Sequence, residues 1–327
     1  VTSQDREFGE RFEPHRRELQ AHCYRMLGSL HDAEDLAQEA LLRAWNRRHT
    51  FAGHSSFRTW LHRIATNACL DVLEQRPARA LPAHLAPPSR LEDPMGPPRE
   101  DPIWMTPAPD ALLEIDPGPE ARVSTRESVA LAFLVALQTL PPRQRAVLLF
   151  RDVLGWQASE VAEAVEMSVA AVNSALQRAR ETLEATRRAQ EGVMKPVLDE
   201  SARTLLGQYI AAWEAADHSS LVALLHEEVT LAMPPLPTWY RGRHDVGGFL
   251  GGLLAGEARG RFRVLPTLAN GQPALAFYQL DAQTGVYRPF SLQLLELAGG
   301  RIKGLLSFLD PRLPAQFGLP ESLPPLH

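Results

Sequence analysis

The sequence predicts a multidomain chain: two all-α domains, the second with a helix-turn-helix, followed by an α+β domain with a curved antiparallel sheet. Three observations predict it. Apolar residues recur at helical spacing from Phe8 to about Arg76 and again over 121–190. Between them, residues 77–120 lose periodicity and hold twelve prolines, which preclude a continuous helix and favour an extended linker. Beyond Ser201, helical patterns give way to four strand-like runs separated by "NGQ", "QTG" and "AGGR".

Taken in order, "RRELQAHCYRMLGSL" carries Leu19, Cys23, Met26, Leu27 and Leu30 on one helical face. "HDAEDLAQEALLRAWNRR" opens in acids and closes in arginines, complementing a helix dipole at both ends. "SSFRTWLHRIATNACLDVLEQR" begins with a serine cap and buries Trp60, Leu61, Ile64 and Ala68. "HTFAGHSS" is the loop before it, and "IWM" at 103–105 is an apolar island in the linker, suited to dock on a neighbour. Pro141 and Pro142 start a helix that Gly155 stops. "ARTLLGQYIAAWEAAD", "SSLVALLHEE" and the Gly-rich "RHDVGGFLGGLLAGE" read as helices, and the four runs from "GRFRVLPTLAN" to "RIKGLLSFLD" as strands.

Composition narrows the function classes. With 327 residues, 45% hydrophobic and 22% charged, the chain is globular. No apolar run approaches the roughly 18–20 residues of a membrane span, and the N-terminal stretch has no apolar signal core, so the cytoplasm is expected. Cys23 and Cys69 lie inside helical patterns and read as free buried thiols, with neither metal nor cofactor expected. The net charge of −5 hides a segregation: residues 78–120 hold eight acids and three arginines, whereas 43–63 hold five arginines and no acid.

In "ASEVAEAVEMSVAAVNSALQRARETL" a short helix is followed by a second, with Val172, Leu176, Ala179 and Leu183 on one face. The opposite face mixes small residues, amides and guanidinium groups, which suits close approach to DNA. This stretch, together with "DAEDLAQEALLRAW", "SSFRTWLHRIATNACLDVLEQR" and "LPPRQRAVLLFRDVLGW", closely resembles bacterial RNA polymerase sigma factors of the extracytoplasmic-function group. The C-terminal part resembles a SnoaL-like cone domain. The resemblance implies a region 2 domain at 1–77, a Pro-rich acidic linker at 78–120, and a region 4 helix-turn-helix domain at 121–190. A SnoaL-like domain at 199–310 and a tail at 311–327 follow.

The same resemblance implies partners and contacts. Asp35, Gln38, Glu39, Leu42, Arg43 and Trp45 would grip the β′ coiled coil of core RNA polymerase. Phe51, His54, Ser55, Ser56, Arg58, Arg63 and Asn67 would recognise and melt the promoter −10 element. Ser168, Val169, Ala170, Ala171, Asn173, Ser174, Gln177, Arg178 and Arg180 would read the −35 element. Where such a tight turn commonly carries Gly, this chain has Glu166, at a cost of about 1 kcal/mol for a positive φ.

In the C-terminal domain, His226, Trp239, Tyr240, His244, Asp245, Tyr278 and Asp281 are the candidates for acid–base chemistry, with His244 and Asp245 also placed to cap a helix. Core and capping roles are favoured, so no catalysis is expected. The domain is instead expected to regulate the helical domains, with a small-molecule ligand or protein regulator as its partner, and "SFLDPRLPAQFGLP" to act as a latch across them. A ligand-responsive helix-turn-helix repressor without polymerase contact is the alternative, and an enzymatic cone the third.

Overall fold

Alternating caps and apolar stripes set the first helices: α1 (Ser3–Phe12), α2 (Arg16–Leu27), α3 (Leu30–Asn46) and α4 (Phe57–Gln75). Gly28 ends α2 at φ 70°, Ser29 accepts from Asp32 N to start α3, and Ser56 accepts from Thr59 N to start α4. Leu19, Cys23 and Met26 of α2, Leu36 and Ala40 of α3, and Leu61, Ile64 and Ala68 of α4 form a shared core. The computed structural model describes residues 3–51, 53, 56–76, 79–99, 104–113, 130–189, 199–255 and 260–325.

The Pro-rich segment is not one strap. By contact the chain forms two compact units, residues 1–80 with 102–191, and 81–101 with 192–327. Within the first unit Trp104 and Met105 are buried, and Ala80 bridges Trp104. Tyr24 donates to Thr106 O at 2.7 Å, and Thr106 Oγ1 accepts from Leu30 N at 2.8 Å. A single turn, α5 (Asp110–Leu113), ends with Leu113 O accepting from the buried Arg25 at 2.8 Å. The apolar island thus docks on α2 and α3 because backbone and side-chain partners wait for it there.

In the same unit, α6 (Leu131–Gln138) and α7 (Pro142–Leu148) lead through one π-type turn, Leu149–Val153, into α8 (Ala158–Ala164) and α9 (Val169–Ala189). Both α7 and α8 pack against α4. Arg145, 2% exposed, ties the segments together. It donates to Gln138 Oε1 at 2.7 Å, to Leu140 O at 3.1 Å and to Met26 O of α2. The turn between α8 and α9 holds Glu166 at φ 55°, the left-handed conformation that glycine adopts freely. Glu166→Gly is expected to stabilise the unit by about 1 kcal/mol, a rise of about 2–4 °C in Tm by calorimetry.

The second unit carries α10 (Glu200–Glu214), α11 (His218–Leu224) and α12 (Arg243–Leu253) on a six-stranded sheet. Its strands are β1 (Leu225–Ala232), β2 (Trp239–Arg241), β3 (Phe262–Ala269), β4 (Gln272–Leu280), β5 (Tyr287–Ala298) and β6 (Arg301–Phe308), ordered β2-β1-β6-β5-β4-β3. The four expected strands are β3 to β6. Two expectations are corrected. The helix read through "LLHEE" ends at Leu224, because Leu225, Val229 and Leu231 bury one face of a strand. Since β1 pairs parallel with β6, the sheet is mixed rather than wholly antiparallel.

Residues 81–101 lie along this unit. Trp239 Nε1 donates to Ala86 O and Ser89 N to Trp239 O, both at 2.8 Å, while Arg99 N donates to Pro235 O at 3.0 Å. Gly248 leaves room there for Leu91, since a Cβ would lie 2.4 Å from the leucine Cδ2 and displace that side chain. The C-terminal tail, including a short α13 (Leu313–Gln316), also folds onto its own sheet: Leu323 pairs with Tyr287, and Tyr278 donates to Pro320 O at 2.8 Å. These bonds engage the segment expected as a latch.

Candidate nucleic-acid interface

Helix α9 divides cleanly. Val172, Ala175, Leu176 and Ala179 are buried, while Val169, Ala170, Asn173, Ser174, Gln177 and Arg178 are exposed and Ala171 is half-buried. Ser168 Oγ accepts from Ala171 N at 3.2 Å, so this serine caps the helix. Gln177 is held by Glu181 at 3.0 Å, and Ser174 back-bonds to Ala170 O. Arg180 turns inward instead, in a fork to the buried Asp152 at 2.8 and 2.6 Å. That pair raises the guanidinium's already high pKa and fixes α9 against the π turn. Arg180, expected among the −35 contacts, is thus held in a structural bond, and Arg178 is the outward arginine.

The loop before α4 gathers rings. Phe51, Phe57 and Trp60 lie 5.4–5.7 Å apart, with Arg11 4.5 Å over Phe57. Trp60 is buried and Phe51 half-buried. Ser56 is the helix cap, and His54 and Ser55 lie outside the described residues. Arg58 bonds Glu18 and lies 5.3 Å over Trp156, so its charge is engaged. Arg63 and Asn67 are half-buried further along α4.

On α3, Asp35, Gln38 and Leu42 form an exposed stripe, with Leu42 61% exposed. Glu39 pairs with Arg43 at 2.7 Å and Arg43 also reaches Asp71 at 3.2 Å, raising the Arg43 pKa against its partial burial. Trp45 packs edge-on to Phe8 and under Arg48, which makes it partly structural.

Of the C-terminal candidates, the buried Tyr240 lies near Asp245, and burial followed by the charges of Asp93 and Asp245 pushes the Tyr240 hydroxyl above its usual range, while three others serve local partners. Tyr278 is bonded to the tail, Asp281 serves its own turn through Gln283 N and Thr284 N, and His226 accepts from Glu228 N. Gly242, not His244 or Asp245, occupies the cap of α12, with no side-chain cap bond. Tyr209, Trp213, Phe262, Phe277 and Leu295 pack in the apolar core of this unit. Burial pushes the Tyr209 hydroxyl further above its usual range, so it stays protonated and donates to Gln293.

Sequence reasoning missed the seam in which α2 and α4 meet α7 and the Trp156 loop. Its signal was present: His22 and His62 interrupt apolar faces, and both are buried.

An outward-facing helix-turn-helix joined to an acid-lined helical bundle defines a DNA-binding transcription factor. Residues 11–78 match Sigma-70 region 2, residues 130–183 match Sigma-70 region 4, and residues 206–304 match the SnoaL-like domain. The chain is 48% identical over 320 residues to the ECF RNA polymerase sigma factor SigG of Mycobacterium tuberculosis, covering 97% of this chain and 85% of that protein. It is 30% identical over 269 residues to SigJ of the same species, covering 80% and 78%. The crystal structure of SigJ superposes with a TM-score of 0.56 at 23% identity, covering 95% of this chain and 99% of that one, which shows the shared fold. The chain belongs to the extracytoplasmic-function RNA polymerase sigma factors with a C-terminal SnoaL-like domain. No helix among the described residues is long and apolar enough to cross a membrane.

Proposed function

We propose that the chain directs core RNA polymerase to promoters by three surfaces of its helical unit, without catalysis of its own. The carrying observation is α9, whose exposed Asn173, Gln177 and Arg178 stand over a fully packed apolar face. Asn173 and Gln177 suit adenine edges in the −35 element, and Arg178 suits guanine or phosphate. Ala170 and Ala171 allow close approach. The half-buried Phe51 with Arg63 and Asn67 is assigned to the −10 element, and Asp35, Gln38 and Leu42 to the β′ coiled coil of the polymerase. Arg58 joins the −10 contacts only when released from Glu18. The C-terminal domain regulates these surfaces; Tyr278, Asp281 and His226 are each engaged in local bonds, which favours a binding or scaffolding role over turnover.

Run-off transcription with purified core enzyme, on promoters selected from a randomised library, tests the reading. Initiation at selected promoters is expected, whereas operator binding without polymerase would establish the repressor. Asn173→Ala and Gln177→Ala are each expected to weaken −35 discrimination by about 1–3 kcal/mol at the matched base. Competition between promoters with single −35 substitutions reads that loss.

A further inference from the structure

In the seam of the helical unit, His22 of α2 and His62 of α4 meet edge to face at 5.1 Å. They are 2% and 0% exposed. His22 Nε2 shares a hydrogen bond with Thr66 Oγ1 at 2.9 Å, and His62 Nε2 lies 3.4 Å from Glu18. The other wall is aromatic and comes from 149–156. Phe150 stacks on His22 at 4.9 Å, Trp156 meets His62 edge-on at 5.0 Å, and the two rings stack on each other at 4.6 Å.

Charge around the pair leaves little room for another proton. Arg25 and Glu18 face His22, while Glu18, Arg58 and His15 face His62. Glu18 is bonded by Arg58, and although burial opposes its charge, Arg58 and the nearby His15 and His62 imidazoles, 4.0 and 3.4 Å away, hold its carboxyl far below the usual range. Across the seam, Arg145 is spent on carbonyls, Asp152 on Arg180, Arg151 on Trp156 O and Glu160 on Gln157 N, while Glu163 is exposed.

We propose that this seam is an acid-sensitive catch: with both imidazoles neutral it keeps the Phe150–Trp156 wall over the helix that carries Arg58, and proton uptake opens it. The proposal rests on the sigma-factor reading for its consequence: opening lifts Trp156 from Arg58, and a protonated His62 competes with Arg58 for the Glu18 carboxylate that holds it back from the −10 element. Its direction follows from the burial. Burial, then the neighbouring imidazole and Arg25, hold His22 well below the ordinary histidine range, and burial lowers His62 against the pull of Glu18. The closed form is therefore favoured above the open-state value of about 6.5 and is lost as pH falls through and below it. Each imidazole multiplies the open-to-closed ratio by about ten per pH unit in that range.

Fluorophores on Glu74→Cys of α4 and Glu163→Cys of α8, both exposed sites in the full chain, read the seam by energy transfer. Transfer is expected to fall between about pH 7.5 and about pH 5.5. His62→Phe keeps a ring against Trp156 and removes one titrating group, so its open-to-closed ratio should rise about ten-fold less per pH unit. A flat wild-type curve, or a variant curve that coincides with a falling wild-type one, overturns the catch. If His62→Phe fails to fold, proton NMR of the wild-type histidines decides. Imidazoles that stay neutral until transfer falls support the catch, and imidazoles that titrate near about 6.5 at constant transfer sink it. Run-off transcription by the labelled protein separates the two ideas. Initiation with flat transfer sinks the catch alone, and a pH-dependent seam without initiation sinks the sigma reading alone.

Discussion

Arg145→Ala is expected to lower the stability of the helical unit by about 3 kcal/mol or more, measured by urea unfolding. The buried guanidinium donates to Gln138 Oε1, Gln138 O, Leu140 O and Met26 O, and truncation takes this charged donor from all four buried acceptors. Burial pushes its pKa down to about 10, so it stays charged at neutral pH and its bonds remain charge-assisted. Arg145→Lys should recover only part of the loss, because an ammonium cannot fork between these carbonyls. A change below about 1 kcal/mol for Arg145→Ala would mean that the seam does not depend on this residue.

Leu42→Asp is expected to weaken association with core polymerase by about 2 kcal/mol, roughly thirty-fold, while leaving unfolding unchanged. Leu42 is 61% exposed and contributes little to the fold, but it is the apolar centre of the Asp35, Gln38, Leu42 stripe. Titration of labelled core enzyme with wild type and variant reads the difference. Equal affinities would return this face to plain solvation.

The sequence made α2, α3, α4 and α9 readable because each holds a long apolar stripe and a recognisable start. Glu166 shows how far local reasoning reaches: a turn that wants glycine was visible, and the chain adopts φ 55° there with glutamate. Strand β1 was not readable, because "SSLVALLHEE" runs from helix into strand without a break and only its pairing with β6 decides the matter. Arg180 and Arg58 show the same limit within the candidate sites. Their types fit DNA, but Asp152 and Glu18, remote in sequence, claim them. The histidine pair was hidden for a similar reason: His22 and His62 acquire meaning only when Phe150 and Trp156 close over them.

The division of the proline-rich segment bears on how the chain can be cut. Since residues 81–101 belong by contact to the C-terminal unit, the two units are interleaved along the polypeptide, not joined end to end. Ending the chain at residue 191 would leave Leu91 without its seat at Gly248 and Ala86 without the Trp239 indole. Such a shortened protein would carry an orphaned, sticky insert in its middle, so its behaviour would combine loss of the C-terminal module with the new habits of that insert.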